Sequence, residues 1–225
     1  MPASPRIALI HALRDSMVPI WDAFDSEWPE ADTFNLLDDS LSADLAKEGS
    51  LSQGIVDRFV TLGRYAQQTS AGEGATRAIL FTCSAFGPAI EAVKRDLDIP
   101  VLTPNEAAFD DALSAGTRVG LIVTFPPSED ALATELKALA LSKGVDLELT
   151  TAVADGALSA LQAGDGENHD SLIGDVTSDL GEVDCVVLGQ FSMARAAPEL
   201  SSRVNVPVIT TPASAVARLR TLLEA

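Results

Sequence analysis

Short runs of β-branched and aliphatic residues recur along the chain. Each is followed by a stretch whose apolar positions repeat near the 3.6-residue helical period. The runs predict strands at 6–10, 33–37, 77–81, 100–102, 118–123, 146–150, 185–188 and 207–209. Between them, the segment 51–67 carries apolar residues at Ile55, Val56, Phe59, Leu62 and Tyr65, on one helical face. The segment 128–141 opens on Ser-Glu-Asp, a good helix start, and stops before Gly144. Further helices are predicted at 86–97, 106–113 and 213–223. Eight strands alternating with helices indicate an α/β protein with parallel sheets. In such sheets ligands bind outside the carboxyl ends of the strands, so chemistry is sought just after each strand.

The pattern repeats within the chain. Ala78-Ile79-Leu80-Phe81-Thr82-Cys83-Ser84-Ala85, displaced by 107 positions, falls on Cys185-Val186-Val187-Leu188-Gly189-Gln190-Phe191-Ser192. The same offset carries Ile99-Pro100-Val101-Leu102-Thr103 onto Val206-Pro207-Val208-Ile209-Thr210 without a gap. At an offset of 112, the strand opening at Arg6 falls on the one opening at Arg118. The expected fold is therefore two pseudo-symmetric three-layer α/β/α domains with mainly parallel four-stranded sheets and an active-site cleft between them. The expected borders are 1–103, joined by a returning C-terminal helix at 213–225, and 104–212. On this reading Cys83 is matched by Gln190, and Cys185 by Ala78. Cys185 lies five residues before its strand end, roughly 16 Å away at ~3.3 Å per residue, and reads as a core thiol.

Composition narrows the function. Of 225 residues, 47% are hydrophobic, enough to fill a sizeable core. A formal net charge of −18 argues against nucleic acid and against anionic membrane surfaces as partners. No apolar run approaches the ~20 residues of a membrane span. The start, MPASPRIALIHAL, has no signal-peptide h-region or cleavage site, so a cytoplasmic location is expected. Two Cys and two His form no disulfide framework and no zinc spacing, and no Gly-rich nucleotide motif occurs, so no metal or cofactor is expected. Trp21, Phe24 and Trp28 suit either a core or an interface.

The chemistry-bearing residues sit at strand ends. Cys83 lies between Thr82 and Ser84, at the junction of an apolar strand and a helix. A thiol there sees the positive end of the helix dipole and free N–H groups, which lower its pKa and bind carboxylates. The bland alternative is a small buried hydrophobe. His11 follows the first strand and reads as a general acid/base or as a loop-bracing hydrogen-bond partner. Asp38, Ser40, Thr124 and the Gln190-Phe191-Ser192 loop follow other strands and read as polar contacts or as helix caps. His169, in GDGENHD, reads as part of a solvated loop.

The strand-Thr82-Cys83-Ser84-Ala85-helix unit, the duplicated halves and the chain length resemble the aspartate/glutamate/hydantoin racemase superfamily. That superfamily also includes maleate isomerase and arylmalonate decarboxylase. The resemblance implies a cofactor-independent enzyme acting beside a carboxylate on a small acid or amino acid, with a homodimer as the common assembly. It makes Cys83 the first-half catalytic cysteine. It makes Asp38, Ser40, Thr82, Ser84, Ala85, Thr124, Gln190, Phe191 and Ser192 contacts for substrate. Two-cysteine members carry a second cysteine where this chain has Gln190. An amide donates and accepts hydrogen bonds but moves no proton, so racemisation by a cysteine pair is excluded. Three chemistries stay open. Cys83 could work with another base, His11 being the nearest candidate. It could protonate a carbanion formed by decarboxylation of a malonate-type acid. It could act as a covalent nucleophile in a cis–trans isomerase. A non-catalytic small-acid binding protein is the remaining alternative.

Overall fold

The computed structural model describes residues 4–71 and 74–224. The elements are β1 (Arg6–His11), α1 (Met17–Glu27), β2 (Asp32–Leu37), α2 (Ser40–Glu48), α3 (Gln53–Gln68), β3 (Ser70–Ala71), β4 (Gly74–Phe81), α4 (Gly87–Asp96), β5 (Val101–Leu102) and α5 (Glu106–Ala115). They continue with β6 (Arg118–Val123), α6 (Pro126–Lys143), β7 (Glu148–Val153), α7 (Ala157–Gln162), α8 (Gly166–Asp175), β8 (Cys185–Leu188), α9 (Ala197–Arg203), β9 (Val208–Thr210) and α10 (Thr211–Glu224). The chain forms two compact units, one holding residues up to Pro104 together with those from Ala215 on, the other spanning Asn105–Ser214.

In the first unit, β2, β1, β4 and β5 pair side by side and parallel. The two-residue β3 adds an antiparallel pairing to the start of β4, Ala71 opposite Gly74. The second unit orders its parallel strands β7-β6-β8-β9. The two sheets thus share one topology, and their registers match. Ile7 stands opposite Ala78, and Val119 opposite Cys185. Ile79 stands opposite Val101, and Val186 opposite Val208.

Central parallel strands are buried on both faces, which is why their sequences run apolar without alternation. On one face of the first sheet, Ala8, Ile10, Ile79 and Phe81 pack with Phe59 of α3 and with Phe86, Ile90 and Val93. The Phe59 ring lies 5.2 Å from that of Phe81 and 4.8 Å from that of Phe86, centroid to centroid. Ile7, Leu9, Ala78 and Leu80, on the opposite face, are also buried. The second sheet divides likewise. Ile122, Val186 and Leu188 join one apolar cluster, and Val119, Leu121, Val123, Cys185 and Val187 another. Phe24 and Trp28 belong to the core, whereas Trp21 is partly exposed.

Two expectations are corrected. The helix predicted at 128–141 begins at Pro126, because proline in the first turn loses no hydrogen bond and has the right φ. The segment around His169 is the helix α8, not a solvated loop. Asp165 caps it by accepting the Asn168 N–H at 3.2 Å, and His169 and Ile173, one turn apart, both point inward and are buried. Among the described residues no helix is long and apolar enough to cross a membrane.

Candidate active site

Cys83 follows β4 directly. The ladder extends one residue past the strand, with the Thr82 N–H donating to the Ile10 carbonyl at 3.0 Å. The backbone of Cys83 is still extended (φ −123°, ψ 121°), and it caps a short 3-10 turn at Ser84–Phe86 before α4 begins at Gly87. The half-buried thiol packs against the Phe59–Phe81 cluster. With Ile10, His11, Ala12, Leu41, Phe59 and Phe81 it lines a void too narrow to admit a water molecule. Burial pushes the thiol above its ordinary pKa, and hydrogen bonds with the Ala85 N–H and the Ser42 hydroxyl oppose that rise. The expectation of a lowered pKa is thus corrected. The α-helix starts four residues beyond Cys83, so the thiol sits at the head of a 3-10 turn and not at the helix terminus itself.

His11, the last residue of β1, is fully buried. Its Nε2 lies 2.9 Å from Asn35 Oδ1, and its Nδ1 lies 2.8 Å from Thr82 Oγ1. Trp21 Nε1 donates to the same Asn35 oxygen at 2.9 Å, which fixes the orientation of that amide. An amide oxygen only accepts, so Nε2 carries the proton. Burial lowers the His11 pKa, and the Asn35 hydrogen bond only partly restores it. In the neutral ring Nδ1 accepts from Thr82. Ser16 Oγ completes the group, 2.8 Å from both Thr82 Oγ1 and the Leu13 carbonyl, and its one proton serves one of the two at a time. Both ring nitrogens are therefore committed to protein partners. One of those partners, Thr82, is the residue before the thiol.

Asp38 and Ser40 do meet after β2, but chiefly to hold an arginine. Ser40 Oγ donates to Asp38 Oδ1 at 2.6 Å. Arg58 of α3 reaches Asp38 Oδ2 and Ser40 Oγ, both at 2.5 Å, and Asp44 Oδ2 at 2.7 Å. Burial works to raise the Asp38 pKa, yet the hydrogen bonds from Ser40 and Arg58 outweigh it and hold the carboxyl below its ordinary value. Of the remaining first-unit candidates, Thr82 is buried, Ser84 half-buried and Ala85 exposed.

In the second unit Gln190 occupies the place that the register predicts. Its backbone is extended (φ −130°, ψ 148°), and it too caps a 3-10 turn, Phe191–Ala196. Its Oε1 accepts the Thr124 N–H at 2.8 Å and the Thr124 hydroxyl at 3.2 Å. Its Nε2 donates to Ser128 Oγ at 3.0 Å. Thr124 and Gln190 are thus partners of each other. The Phe191 ring is buried and Ser192 half-buried. Cys185 is fully buried, its thiol donates to the Ala112 carbonyl at 3.7 Å, and burial together with Asp184 pushes its pKa up to about 11.

Six participants were not picked out from the sequence: Ser16, Asn35, Ser42, Asp44, Arg58 and Ser128. Arg58 carried a usable signal, as the sole cation between Lys47 and Arg64, one position before the inward-facing Phe59. The others are common residues with no spacing to mark them.

Comparison with known proteins places these observations in a family. The Asp/Glu/Hydantoin racemase family profile matches residues 30–219, and the chain belongs to that family. Glutamate racemase RacE1 from Bacillus anthracis is 15% identical, with a TM-score of 0.72 over 99% of this chain and 82% of that one. The aspartate racemase of Picrophilus torridus is 11% identical, with a TM-score of 0.75 over 98% and 95%. Allantoin racemase from Klebsiella pneumoniae is 20% identical, with a TM-score of 0.64 over 98% and 88%. At these identities the likeness is one of fold. Comparison with curated proteins finds no match.

Proposed function

We propose that this chain is a cofactor-independent isomerase of the racemase or epimerase type. It acts on the carbon beside the carboxylate of a small acid or amino acid, and Cys83 is its proton-carrying thiol. The observation that carries the reading is the setting of Cys83: a half-buried thiol one residue past the carboxyl end of β4, at the head of the Ser84–Phe86 turn and lining a void with His11. Family membership supports it. Carboxylate and enediolate charge would be met by turn N–H groups and by the Ser and Thr hydroxyls beside the thiol.

A second reading has its own support. Burial keeps Cys83 protonated at rest, and the amide of Gln190 is bound on both its oxygen and its nitrogen. One acid without a partner base is what a malonate-type decarboxylase needs, since loss of CO₂ creates the carbanion and the thiol only protonates it. Incubation with a panel of amino acids, hydroxy acids and substituted malonates in D₂O separates the readings. Deuterium at the α-carbon without CO₂ release, abolished in Cys83→Ala, is the outcome expected of an isomerase. CO₂ release with one deuterium in the product would establish the decarboxylase instead. No turnover, together with a Cys83 that resists alkylation at every pH, would overturn both readings and leave a binding protein.

A further inference from the structure

We propose that Gln190 is a fixed hydrogen-bond donor, through one amide proton, to an oxygen of the substrate's carboxylate. Thr124 and Ser128 lock that amide in place and act as positioning residues, not as donors to the ligand. The inference deepens the reading given above, from which the small-acid substrate is taken.

Thr124 directly follows β6, and Ser128 lies in the first turn of α6. The direction of every hydrogen bond between them and Gln190 is fixed. A backbone N–H only donates, so the Thr124 N–H, at 2.8 Å, faces the amide oxygen Oε1 and not Nε2. The Thr124 hydroxyl gives its proton to the same oxygen at 3.2 Å. Both acceptor positions of Oε1 are then filled. On the other side, Ser128 Oγ donates its one proton to the Phe125 carbonyl at 2.7 Å. It therefore accepts from Gln190 Nε2, at 3.0 Å. An amide nitrogen carries two protons, and this bond uses one. No described residue accepts the other. The Gln190 side chain is half-buried, so the spare proton is neither sealed in the core nor fully solvated.

This proton count decides what can bind. With Oε1 filled, Gln190 offers a donor and no acceptor. The ligand atom must therefore be an acceptor, as a carboxylate or enediolate oxygen is, and an ammonium is refused. The hydroxyl protons of Thr124 and Ser128 are already given away, to Oε1 and to the Phe125 carbonyl, so neither can take the same part. Three hydrogen bonds hold the amide before any ligand arrives. A donor held in this way needs no reorganisation when negative charge develops on the oxygen it faces. Packing fixes the backbone as well. A Cβ built on Gly189 would lie 3.1 Å from the Ile122 carbonyl oxygen, from Leu132 Cδ1 and from Val123 Cγ1, so the chain before Gln190 is pressed against β6 and α6.

The test follows the Gln190 side-chain NH₂ in proton–nitrogen NMR spectra of the full-length protein as methylmalonate, lactate or alanine is added, one acid from each class in the panel above. One of the two proton signals is expected to move downfield with the acid that binds, and the other, held by Ser128, to stay. Gln190→Met keeps the side-chain length and removes both protons. It is expected to weaken binding of the same acid about tenfold, read as Kd from the remaining shifts. Thr124→Val, which keeps the backbone N–H, is expected to weaken it by a smaller factor. Ser128→Ala is expected to narrow the separation of the two NH₂ signals, and Ser128→Thr to restore it, a signature that a purely structural role would not give. Gln190 signals unmoved by all three acids would overturn the inference. A folded Gln190→Met protein that binds as tightly as the parent would overturn it too. Both results leave the reading of Cys83 standing, because turnover and alkylation decide that. A ligand shift at Gln190 in a protein without turnover and with an unreactive Cys83 would support the donor role and remove the reaction.

Discussion

His11 is the clearest case of a residue whose surroundings decide its part. Its ring is buried and neutral, with Nε2–H given to Asn35 and Nδ1 accepting from Thr82. Burial sets its folded pKa below the ~6.5 of an unfolded chain. Below that unfolded value the denatured state takes up a proton that the native state refuses. The stability tied to His11 is therefore intact above about pH 6.5 and is lost as the pH falls toward the lowered native pKa. Urea unfolding at pH 7.5 and pH 5.5 should show the parent losing stability across this window and His11→Gln losing less. An equal loss in the two proteins would show that His11 is free to protonate in the folded state. The sequence made His11 visible because it ends a buried strand. It could not show that β2 and the turn after β4 bring Asn35 and Thr82 to both its nitrogens, since those partners lie 24 and 71 residues away.

Helix packing beside the site depends on one close approach. A Cβ built on Gly63 of α3 would lie 2.5 Å from Val93 Cγ1 and 3.3 Å from Leu97 Cδ1. Val93 is β-branched and nearly fixed in its rotamer within a helix, so it cannot swing aside. Alanine in a helix interior gains about 1 kcal/mol over glycine. Overpacking of a filled core costs about 1–3 kcal/mol. The second effect should win, and Gly63→Ala is expected to lower stability by about 1 kcal/mol, read from the chemical-denaturation midpoint at unchanged slope. A more stable variant would show that α3 and α4 separate easily. Elements as such were legible because apolar runs and helical periods are local signals. The strand at 185–188 and the helix from Glu106 appear where the pattern puts them. Element ends were less legible. Pro126 starts α6 ahead of the Ser-Glu-Asp signal, and a glycine-containing polar run becomes α8 once Asp165 caps it.

The repeat was legible for a different reason: offsets of 107 and 112 in sequence are the registers of two sheets with one topology. Burial demands the same apolar strands in both units, while nothing demands the same side chain where each sheet ends. Cys83 in one and Gln190 in the other are where function could diverge at no cost to the core. Charge acts on the molecule in the opposite way, without regard to position. The chain carries 33 acidic residues against 15 Lys and Arg. Even if every cation were paired, eighteen carboxylates would remain uncompensated, consistent with the net charge of −18. Exposed ion pairs such as Arg14–Asp39 and Arg220–Glu224 are worth a few tenths of a kcal/mol each, up to about 1, and salt weakens them. Self-repulsion of the excess charge is screened by the same salt and outweighs them, because it is summed over the whole surface. Raising NaCl from about 0.02 M to 0.5 M shortens the screening length from roughly 20 Å to 4 Å, below most distances between surface carboxylates. The thermal midpoint is therefore expected to rise with NaCl across this range. A falling midpoint would mean that the ion pairs, Arg58 with Asp38 and Asp44 foremost, stabilise the fold more than the excess charge opposes it.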